Sequence, residues 1–394
     1  IEGAYILTGE RLLVSSPRGM IVFGHGTCFM DTVLVQCLGY GSRRVPLNEV
    51  FKESSIHTVC LSLDIQKLGE VVVTGEHAGV SPNVVSRRLS SPEIRNALGT
   101  SLATLLERVS GVSSISTGTT VSKPVIQGMY GNRILIIHNG ARQTGQQWGA
   151  DHAPEVDMNG SSSVSVIKGS DAVRYGSDAL GGIIVMEQSP LPFRKRSLRG
   201  GISALYGSNG RRYVATGQLE GAFPGDFAWR LQGTWSNSGD RSTAHYLLNN
   251  TGTREYHASA SLGYDRGRLR VEGFYSRFYS RTGVMLSAQM GSEDLLAERI
   301  RLGRPLHTDP FSRGIRPPCQ EVTHQIAFGR MRLGMKKGGS IHWQSTWQKD
   351  DRQENRVRRL DSNIPAVSLY LNSFQHLLRW KRDYRSWQVE AGGQ

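Results

Sequence analysis

The chain has 394 residues, and its 47 Lys and Arg against 33 Asp and Glu give a formal net charge of +14. Only 38% of the residues are hydrophobic, and no run approaches the roughly 18 apolar residues that a membrane-spanning helix needs. Such positive charge can attract nucleic acid, acidic lipid or an anionic ligand. The chain has neither zinc-finger spacing nor an RNA-binding aromatic signature, so we expect no nucleic-acid partner.

Residues 1–66 are predicted to form short strands separated by Gly, Ser and Pro, a pattern typical of a small β-sandwich. The predicted strands cover residues 4–7, 12–14, 20–23, 32–38 and 57–64. Any small sandwich would give the same pattern, so it indicates the fold of this region and not its role.

The four cysteines contain no CxxC pair, which argues against a zinc site. Cys37 lies within an apolar strand and is expected to be a small buried hydrophobic residue. A disulfide among Cys28, Cys37 and Cys60 would suit an oxidising compartment, and the sequence leaves the pairing open.

A β-branched run, Val71-Val72-Val73-Thr74, follows Glu70 between the first region and the next. β-branched residues favour extended structure, and a free extended segment can add a strand to a partner's sheet edge. We therefore predict a linker at residues 67–76. The alternative is that the run is the last strand of the first region.

Residues 77–190 combine two predicted helices with predicted strands that are separated by glycines, the pattern of an α+β domain. Ser91 is predicted to cap the first helix, with Pro92 at its first position. The second helix is predicted over residues 101–108, where apolar residues fall on one face. The residues of this face are Leu102, Leu105, Leu106 and Val109.

Residues 195–394 alternate apolar and polar side chains with a period of two. In one predicted strand, Trp229 and Leu231 alternate with Arg230 and Gln232. An apolar face with aromatic residues near the strand ends, opposite a polar face, is what a lipid-facing barrel with a wet lumen requires. The alternative is an ordinary antiparallel sheet with one solvated face.

Residues 124–186 carry the most specific motifs. They read PVIQGMYGNRILIIHNG, then VSVIKG, then YGSDALGG before a last strand. This run resembles the plug domain of TonB-dependent outer-membrane receptors, in which a small globular plug fills a large β-barrel. The sequence departs from the family pattern at Ser170, where Pro is common, and at Val185, where Asn is common. Neither change removes a turn glycine.

The resemblance extends to the regions before the plug. Residues 1–66 resemble a carboxypeptidase-regulatory-like domain whose first strand is missing. The linker resembles the TonB box, which implies that TonB binds Glu70, Val71, Val72, Val73 and Thr74. The implied fold is mainly β, with a small β-sandwich, an α+β plug domain and an incomplete antiparallel transmembrane β-barrel.

The length sets how much of a barrel is present. About eight to ten strands are predicted, whereas plugged transporters use about 22. We therefore expect residues 195–394 to be the first part of a truncated barrel and the chain to be a fragment. Residues 283–322 break the alternation and are predicted to be a long extracellular loop. Within it, a short helix is predicted around Leu295, Leu296 and Ile300.

The resemblance implies TonB-dependent active import of a scarce nutrient across the outer membrane of a Gram-negative bacterium. The expected ligand is a ferric siderophore, haem or another metal chelate. The alternatives are cobalamin or an oligosaccharide, or a non-transporting adhesin or structural barrel. The implied partners are TonB with its inner-membrane energising complex, and outer-membrane lipid. We expect no enzyme, cofactor or resident metal, because GxSxG, HExxH and a strand-to-helix GxGxxG are absent.

Residues 141–157, ARQTGQQWGADHAPEVD, form a polar segment that would rise towards the outer mouth of such a barrel. A rigid aromatic side chain among hydrogen-bonding groups suits a binding surface. The candidate ligand-binding residues are Arg142, Gln146, Gln147, Trp148, Asp151 and His152. The alternative is that His152 caps a turn and that Glu155 and Asp157 pair with barrel arginines.

Three further arginines are predicted on the inward face of barrel strands: Arg230, Arg268 and Arg270. Guanidinium groups suit the recognition of carboxylate or phosphate. Together with the net charge, these residues predict an anionic or metal-chelate ligand. The Asp151-His152 pair could donate a metal ligand, and His138 is expected to be structural.

Overall fold

The computed structural model of the chain contains two compact units, Ile1–Gly75 and Glu76–Gln394. The described residues are 4–8, 11–22, 32–37, 40–46, 58–62, 86–117, 121–145, 152–169, 172, 175, 177–193, 198–285, 293–305, 308–336, 338–356, 364–384 and 387–393. Within these ranges, no helix is long and apolar enough to span a membrane. The predicted linker at residues 67–76, including Glu70 and Thr74, lies outside the described residues.

The first unit contains a four-stranded antiparallel sheet in the order β2-β1-β3-β4. Its strands are β1 (Tyr5–Thr8), β2 (Arg11–Val14), β3 (Thr32–Cys37) and β4 (Tyr40–Pro46). Ile6, Val33, Val35 and Val45 form its buried core. The described part of this unit contains no second sheet, so the sandwich and the regulatory-like assignment stay predictions.

Two predicted strands of the first unit are wrong in their described parts. Residues 20–22 and 58–62 carry no strand structure. Their apolar side chains, Ile21, Val59 and Leu61, pack against the core of the sheet. The apolar pattern there therefore reflects loops that cover the sheet and not strand pairing.

The cysteines of the first unit are free thiols where they are described. Cys37 is half-buried, so the expectation of full burial is wrong, and Cys60 is exposed. Cys28 lies outside the described residues, and a disulfide that includes it stays a prediction.

The second unit begins with a five-stranded sheet in the order β5-β10-β11-β8-β9. Its strands are β5 (Ser86–Ser90), β8 (Ile134–His138), β9 (Ala141–Arg142), β10 (Ser163–Ile167) and β11 (Gly182–Glu187). Strands β8 and β11 are parallel, and the other neighbours are antiparallel. This mixed sheet is the centre of the predicted plug.

Two short helices and a hairpin accompany this sheet. They are α1 (Ser91–Arg95), α2 (Leu102–Leu106), β6 (Val112–Thr117) and β7 (Val121–Ile126). The predicted apolar face of the second helix is confirmed, because all four of its residues are buried in the core. The helices and the sheet therefore share one hydrophobic core, as expected for an α+β domain.

The cap of the first helix is Ser90, so the prediction of Ser91 is wrong by one residue. Glu93 accepts hydrogen bonds from both the backbone N–H and the hydroxyl of Ser90, each at 2.8 Å. These two donors hold the pKa of the Glu93 carboxyl below its usual value. The three-residue spacing from Ser90 to Glu93 is the sequence signal that identifies the true cap.

The rest of the second unit is a nine-stranded antiparallel sheet whose strands follow chain order. The strands are β12 (Arg199–Gly207), β13 (Arg212–Phe223), β14 (Phe227–Ser238), β17 (Thr253–Arg266), β18 (Leu269–Gly283), β19 (Cys319–Gly334), β20 (Ser340–Asn355), β21 (Val367–Asp383) and β22 (Gln388–Gly393). A small hairpin of β15 (Arg241–Ser242) and β16 (Leu247–Leu248) lies between β14 and β17. Among the described residues β12 and β22 do not pair, so the sheet is open.

The two ends of this sheet differ in their connections. Short turns at residues 224–226, 267–268 and 335–339 lie at one end, which we call the turn end. Longer connections at residues 239–252 and 284–318 lie at the other, which we call the loop end. The predicted loop helix is confirmed as α3 (Glu293–Leu302).

The large sheet is apolar on its exposed face and polar on its buried face. Ile202, Leu231, Trp235, Tyr370 and Phe374 are exposed, Phe374 at 67%. The buried polar residues of the strands include Arg230, Gln232, Thr234, Ser236, His324, Thr346, Gln348, Asp350 and Arg352. A sheet of a water-soluble protein would bury its apolar face, so this arrangement confirms the predicted barrel wall.

Candidate functional site

Strand β20 contacts the predicted plug through inward glutamines on the buried face of the large sheet. Gln344 donates to the carbonyl of Gly140 at 3.2 Å, and Gln348 donates to the carbonyl of Arg142 at 2.8 Å. The backbone N–H of Thr144 donates to the Gln348 side chain at 3.0 Å. Because successive inward residues of a strand are two apart, the plug chain advances along β20 towards the loop end.

The same segment approaches β20 closely nearer the loop end. Gly145 has a φ of +79°, and a Cβ at this position would overlap the carboxylate of Asp350. His152 Nε2 lies 2.6 Å from Glu354 Oε1, next to the last residue of β20. We call residues 139–155 the apex segment, and its described residues, 139–145 and 152–155, run from the middle of the wall to its loop end. Outer-membrane barrels have short periplasmic turns and long extracellular loops, so the loop end is the expected outer end.

The candidate ligand residues fall into two groups. The guanidinium of Arg142 pairs with Asp178 inside the plug, and His152 pairs with Glu354 and does not cap a turn. The other candidates, Gln146, Gln147, Trp148 and Asp151, lie outside the described residues. Ligand contact by these residues stays a prediction.

The three arginines predicted on the inward face have different positions. Arg230 is inward and pairs with Glu220 at 2.6 Å. Arg270 pairs with Glu272 at 2.7 Å and lies over the ring of Phe193, near the turn end. The prediction for Arg268 is wrong, because this residue lies in the turn that precedes β18.

A cavity of about 350 Å³ lies between the plug and the inner wall at the loop end. The plug contributes residues 99–104, 153–159 and the two sides of the β6–β7 hairpin. The wall contributes inward residues near the loop end of several strands: Arg212, Thr234, Ser236, Glu255, His257, Ser280, Gln320 and Arg352. Arg241, from the small hairpin, completes the lining.

Two arginines of the cavity come from the wall and its hairpin. Arg212 lies 3.6 Å from Glu255 and donates to the hydroxyl of Ser236. Arg241 makes no ion pair with the described residues, and its buried Nε has no hydrogen-bond partner among them. Burial, and then the charge of Arg212, lower the pKa of Arg241, which means that its charge is poorly compensated. An anionic group in the cavity would compensate it.

A third arginine of the cavity, Arg352, is held by the plug. Arg352 Nη2 donates to Glu155 Oε1, and each residue is only 2% exposed. The alternative interpretation of the sequence, in which Glu155 pairs with a barrel arginine, therefore holds for this residue. It does not hold for Asp157, which accepts from Gln232 Nε2 at 2.9 Å. The sequence analysis did not find the cavity arginines, although the alternation of side chains along β20 places Arg352 on the inward face.

Buried histidines lie beside this pair. The His138 ring packs edge-on against Phe274, and burial lowers the His138 pKa to about 4. His324 Nδ1 lies 3.2 Å from Gln143 Nε2, which also donates to the Glu155 carbonyl at 2.9 Å. His138 is thus a neutral core residue, as expected. The described residues contain no cluster of three or more His, Cys, Asp or Glu that could hold a metal.

Comparison with known proteins identifies this arrangement. The family described as the TonB-dependent Receptor Plug Domain matches residues 80–183. The Vitamin B12 transporter BtuB of Photobacterium profundum is 26% identical over 194 residues, which are 48% of this chain and 31% of that protein.

Solved structures show the same fold. A mutant of the ferric enterobactin receptor PfeA of Pseudomonas aeruginosa matches with a TM-score of 0.57 at 13% identity, covering 78% of this chain and 48% of the other. The ferric yersiniabactin uptake receptor FyuA of Yersinia pestis gives 0.54 at 19% identity, covering 77% and 47%.

Over residues 80–183 the chain matches the plug domain of TonB-dependent receptors, and over most of its length it has the fold of the solved receptors. Residues 80–183 are its plug domain, and the nine-stranded sheet corresponds to part of the barrel. The chain spans 31% of the curated relative and just under half of each of these solved receptors.

Proposed function

We propose that this chain provides the plug and part of the barrel of a TonB-dependent importer of a ferric siderophore, haem or another metal chelate. The observation that supports the proposal most directly is the cavity at the loop end. It is lined by three separate plug segments and by the polar face of the wall. A ligand bound there would touch both the plug and the barrel wall, so its binding could favour one arrangement of the two over another, as ligand-dependent transport requires.

The chemistry of the cavity favours an anionic ligand. Arg241 has no carboxylate partner among the described residues, and Arg212 pairs with Glu255 of the wall. Many metal chelates present carboxylate, phenolate or hydroxamate oxygens, which guanidinium groups bind through charge-assisted hydrogen bonds. PfeA is a ferric enterobactin receptor and FyuA is a ferric yersiniabactin uptake receptor, which is consistent with this class.

Cobalamin is the second candidate ligand. One curated relative of this chain is a vitamin B12 transporter, and its match extends over 194 residues. A cobalamin receptor would need fewer cationic contacts, so the two candidates differ in the expected role of Arg241. Charge reversal at this position should weaken binding of a ferric chelate far more than binding of cobalamin.

The experiment is growth of a strain that lacks its own copy of the receptor and carries the whole gene on a plasmid. Defined sources of ferric siderophore, haem and cobalamin are supplied one at a time, with radiolabelled uptake as the direct readout. Uptake of a ferric chelate or haem that requires TonB supports the proposal. Uptake of cobalamin alone would select the second candidate, and TonB-independent growth on every source would reject both.

Energy coupling is proposed to run through Glu70–Thr74. Val72→Pro should abolish uptake and leave ligand binding intact, because Pro removes a strand donor and fixes φ. The matched control is Val72→Ile, which keeps the β-branched backbone preference and should retain uptake. Uptake and equilibrium binding are measured on the same outer membranes. Normal uptake by the proline variant would contradict a TonB box at these residues.

Ligand contact at the apex segment is tested separately. Trp148→Ala and His152→Ala should each weaken ligand binding by about 1–2 kcal/mol without unfolding the plug, the usual range for an anchor residue. Titration of the purified receptor with the ligand found by the uptake assay measures the effect. Unchanged affinity in both variants would place the ligand site in the barrel loops.

A further inference from the structure

The buried ion pair between Glu155 and Arg352 is incompletely satisfied. Arg352 Nη2 donates to Glu155, and Arg352 Nη1 donates to Gln320 Oε1 at 3.2 Å. The Arg352 Nε donor and the Glu155 Oε2 acceptor are buried and have no hydrogen-bond partner among the described residues. A buried pair recovers its desolvation cost only when its remaining donors and acceptors are also bonded. This pair is therefore weaker than its burial suggests.

A second carboxylate weakens the pair further. Asp350 is two residues from Arg352 on the same inward face of β20. Burial, and then the charge of Asp350, raise the pKa of Glu155 well above its usual value. Because a protonated Glu155 carries no charge, it could lose Arg352 without leaving a buried anion.

The position of the pair connects ligand and plug. Both side chains belong to the lining of the 350 Å³ cavity, Glu155 from the plug and Arg352 from the wall. Arg352 is thus a wall cation whose present counter-ion is supplied by the apex segment. An anion that enters the cavity would meet the same guanidinium.

We propose that Arg352 is an exchange site, at which an anionic group of the ligand replaces the carboxylate of Glu155 and releases the apex segment from β20. The inference rests on the proposed function, since it assigns that cavity its ligand chemistry. Charge balances in the exchange: the incoming anion pairs with Arg352, and Glu155 takes up one proton from solvent. The ligand group is a carboxylate, a phosphate or a comparable oxyanion, because such groups match the guanidinium fork.

The test uses the whole receptor in detergent micelles, with citrate and inorganic phosphate as anion probes and sucrose as the neutral control. Calorimetric titration gives affinity, and hydrogen–deuterium exchange gives the release of residues 139–155. Either anion should bind and accelerate exchange in these residues at least tenfold, whereas sucrose should do neither. Exchange in residues 188–193, near the turn end, should not change.

Two variants and one matched control separate the exchange from ordinary anion binding. Glu155→Gln removes the resident counter-ion, so exchange in residues 139–155 should be fast without anion, and anion affinity should rise about tenfold. Arg352→Gln should remove the anion effect on exchange. Glu220→Gln breaks a different, largely buried pair, with Arg230, outside the cavity and should change neither quantity.

Several results would overturn the exchange site. They are the absence of anion binding, binding that leaves exchange in residues 139–155 unchanged, or unchanged or reduced anion affinity in Glu155→Gln. The anion affinity of Glu155→Gln still tests the exchange site if Arg352→Gln fails to fold. A receptor that shows the exchange but imports no metal chelate would reject the proposed function and keep the site. Import of a metal chelate without the exchange would reject the exchange site and keep the proposed function.

Discussion

The plug and the adjoining chain meet the wall through two buried arginines that are satisfied to different degrees. Arg230 donates to Glu220 through Nε and Nη2, to the carbonyl of Ser189 at 2.7 Å and to the carbonyl of Pro190 at 3.3 Å. Arg352 reaches Glu155 and Gln320 but leaves its Nε unbonded among the described residues. The first contact holds the chain that follows the plug, whereas the second holds the apex segment.

This difference teaches that burial alone does not measure how firmly a contact is held. Arg230 and Arg352 are each 2% exposed, yet only one has its donors matched. A buried charge with all its hydrogen bonds made is costly to disturb, and one with unused donors is open to a competing partner. The wall therefore has an anchored contact and an exchangeable one.

The largest expected effect separates the two arginines directly. Arg230→Met leaves the Glu220 side chain without its partner in a largely buried position, which should cost about 3–5 kcal/mol. Arg352→Met should cost clearly less, because Glu155 can take up a proton. Denaturant unfolding of both variants in the same detergent gives the two values. A cost for Arg352→Met equal to that for Arg230→Met would remove the distinction.

The second effect is pH dependence from His138. Its folded-state pKa is lowered to about 4 from an ordinary 6.5, so the folded state binds this proton less readily than the unfolded state. The contribution of His138 to stability is present above pH 6.5 and is lost as the pH falls towards 4. Between pH 7 and 5 the loss should be about 2 kcal/mol.

Comparison of the wild type with His138→Gln isolates this contribution. Unfolding midpoints of the plug at pH 7 and pH 5 should move further apart in the wild type than in the variant. An equal pH shift in both proteins would assign the dependence to other groups and not to His138.

The third effect concerns the close approach of the apex segment to β20. Gly145→Ala should loosen residues 139–155 by about 1–3 kcal/mol, because the new methyl overlaps the Asp350 carboxylate. Gly128 has a similar φ of +80° but no atom within 4 Å of its ideal Cβ, so Gly128→Ala adds only backbone strain. Hydrogen exchange of the segment compares the two. Equal effects of the two substitutions would mean that backbone strain, and not contact with the Asp350 carboxylate, makes glycine necessary at position 145.

The sequence allowed those parts of the fold to be predicted that depend on local pattern. Alternation with a period of two is a property of neighbouring residues, so it predicted a wall with an apolar exposed face and a polar buried face. The buried Gln232 and the exposed Leu231 confirm this prediction. The plug motifs likewise depend on turns a few residues long. The errors at Ser91 and Arg268 are displacements at element ends, where local signals are weakest.

The candidate site was harder to predict because its contacts are far apart in sequence. Glu155 and Arg352 are 197 residues apart, and their pairing depends on the height of the plug inside the wall. No periodic pattern encodes that height. Glu155 lies in a segment that the sequence singled out by its local composition, whereas Arg212 and Arg241 became visible only with the cavity.

Strand β20 binds residues 140–144 of the apex segment through backbone atoms. Gln344 and Gln348 bind the carbonyls of Gly140 and Arg142 and the N–H of Thr144, and these groups exist whatever side chain stands there. Side chains at the positions bound in this way can therefore change during evolution without a matching change in the two glutamines. Under the proposed ligand contact by this segment, ligand preference is a property that one short segment can acquire or lose, and it could be transplanted between receptors that keep the two glutamines.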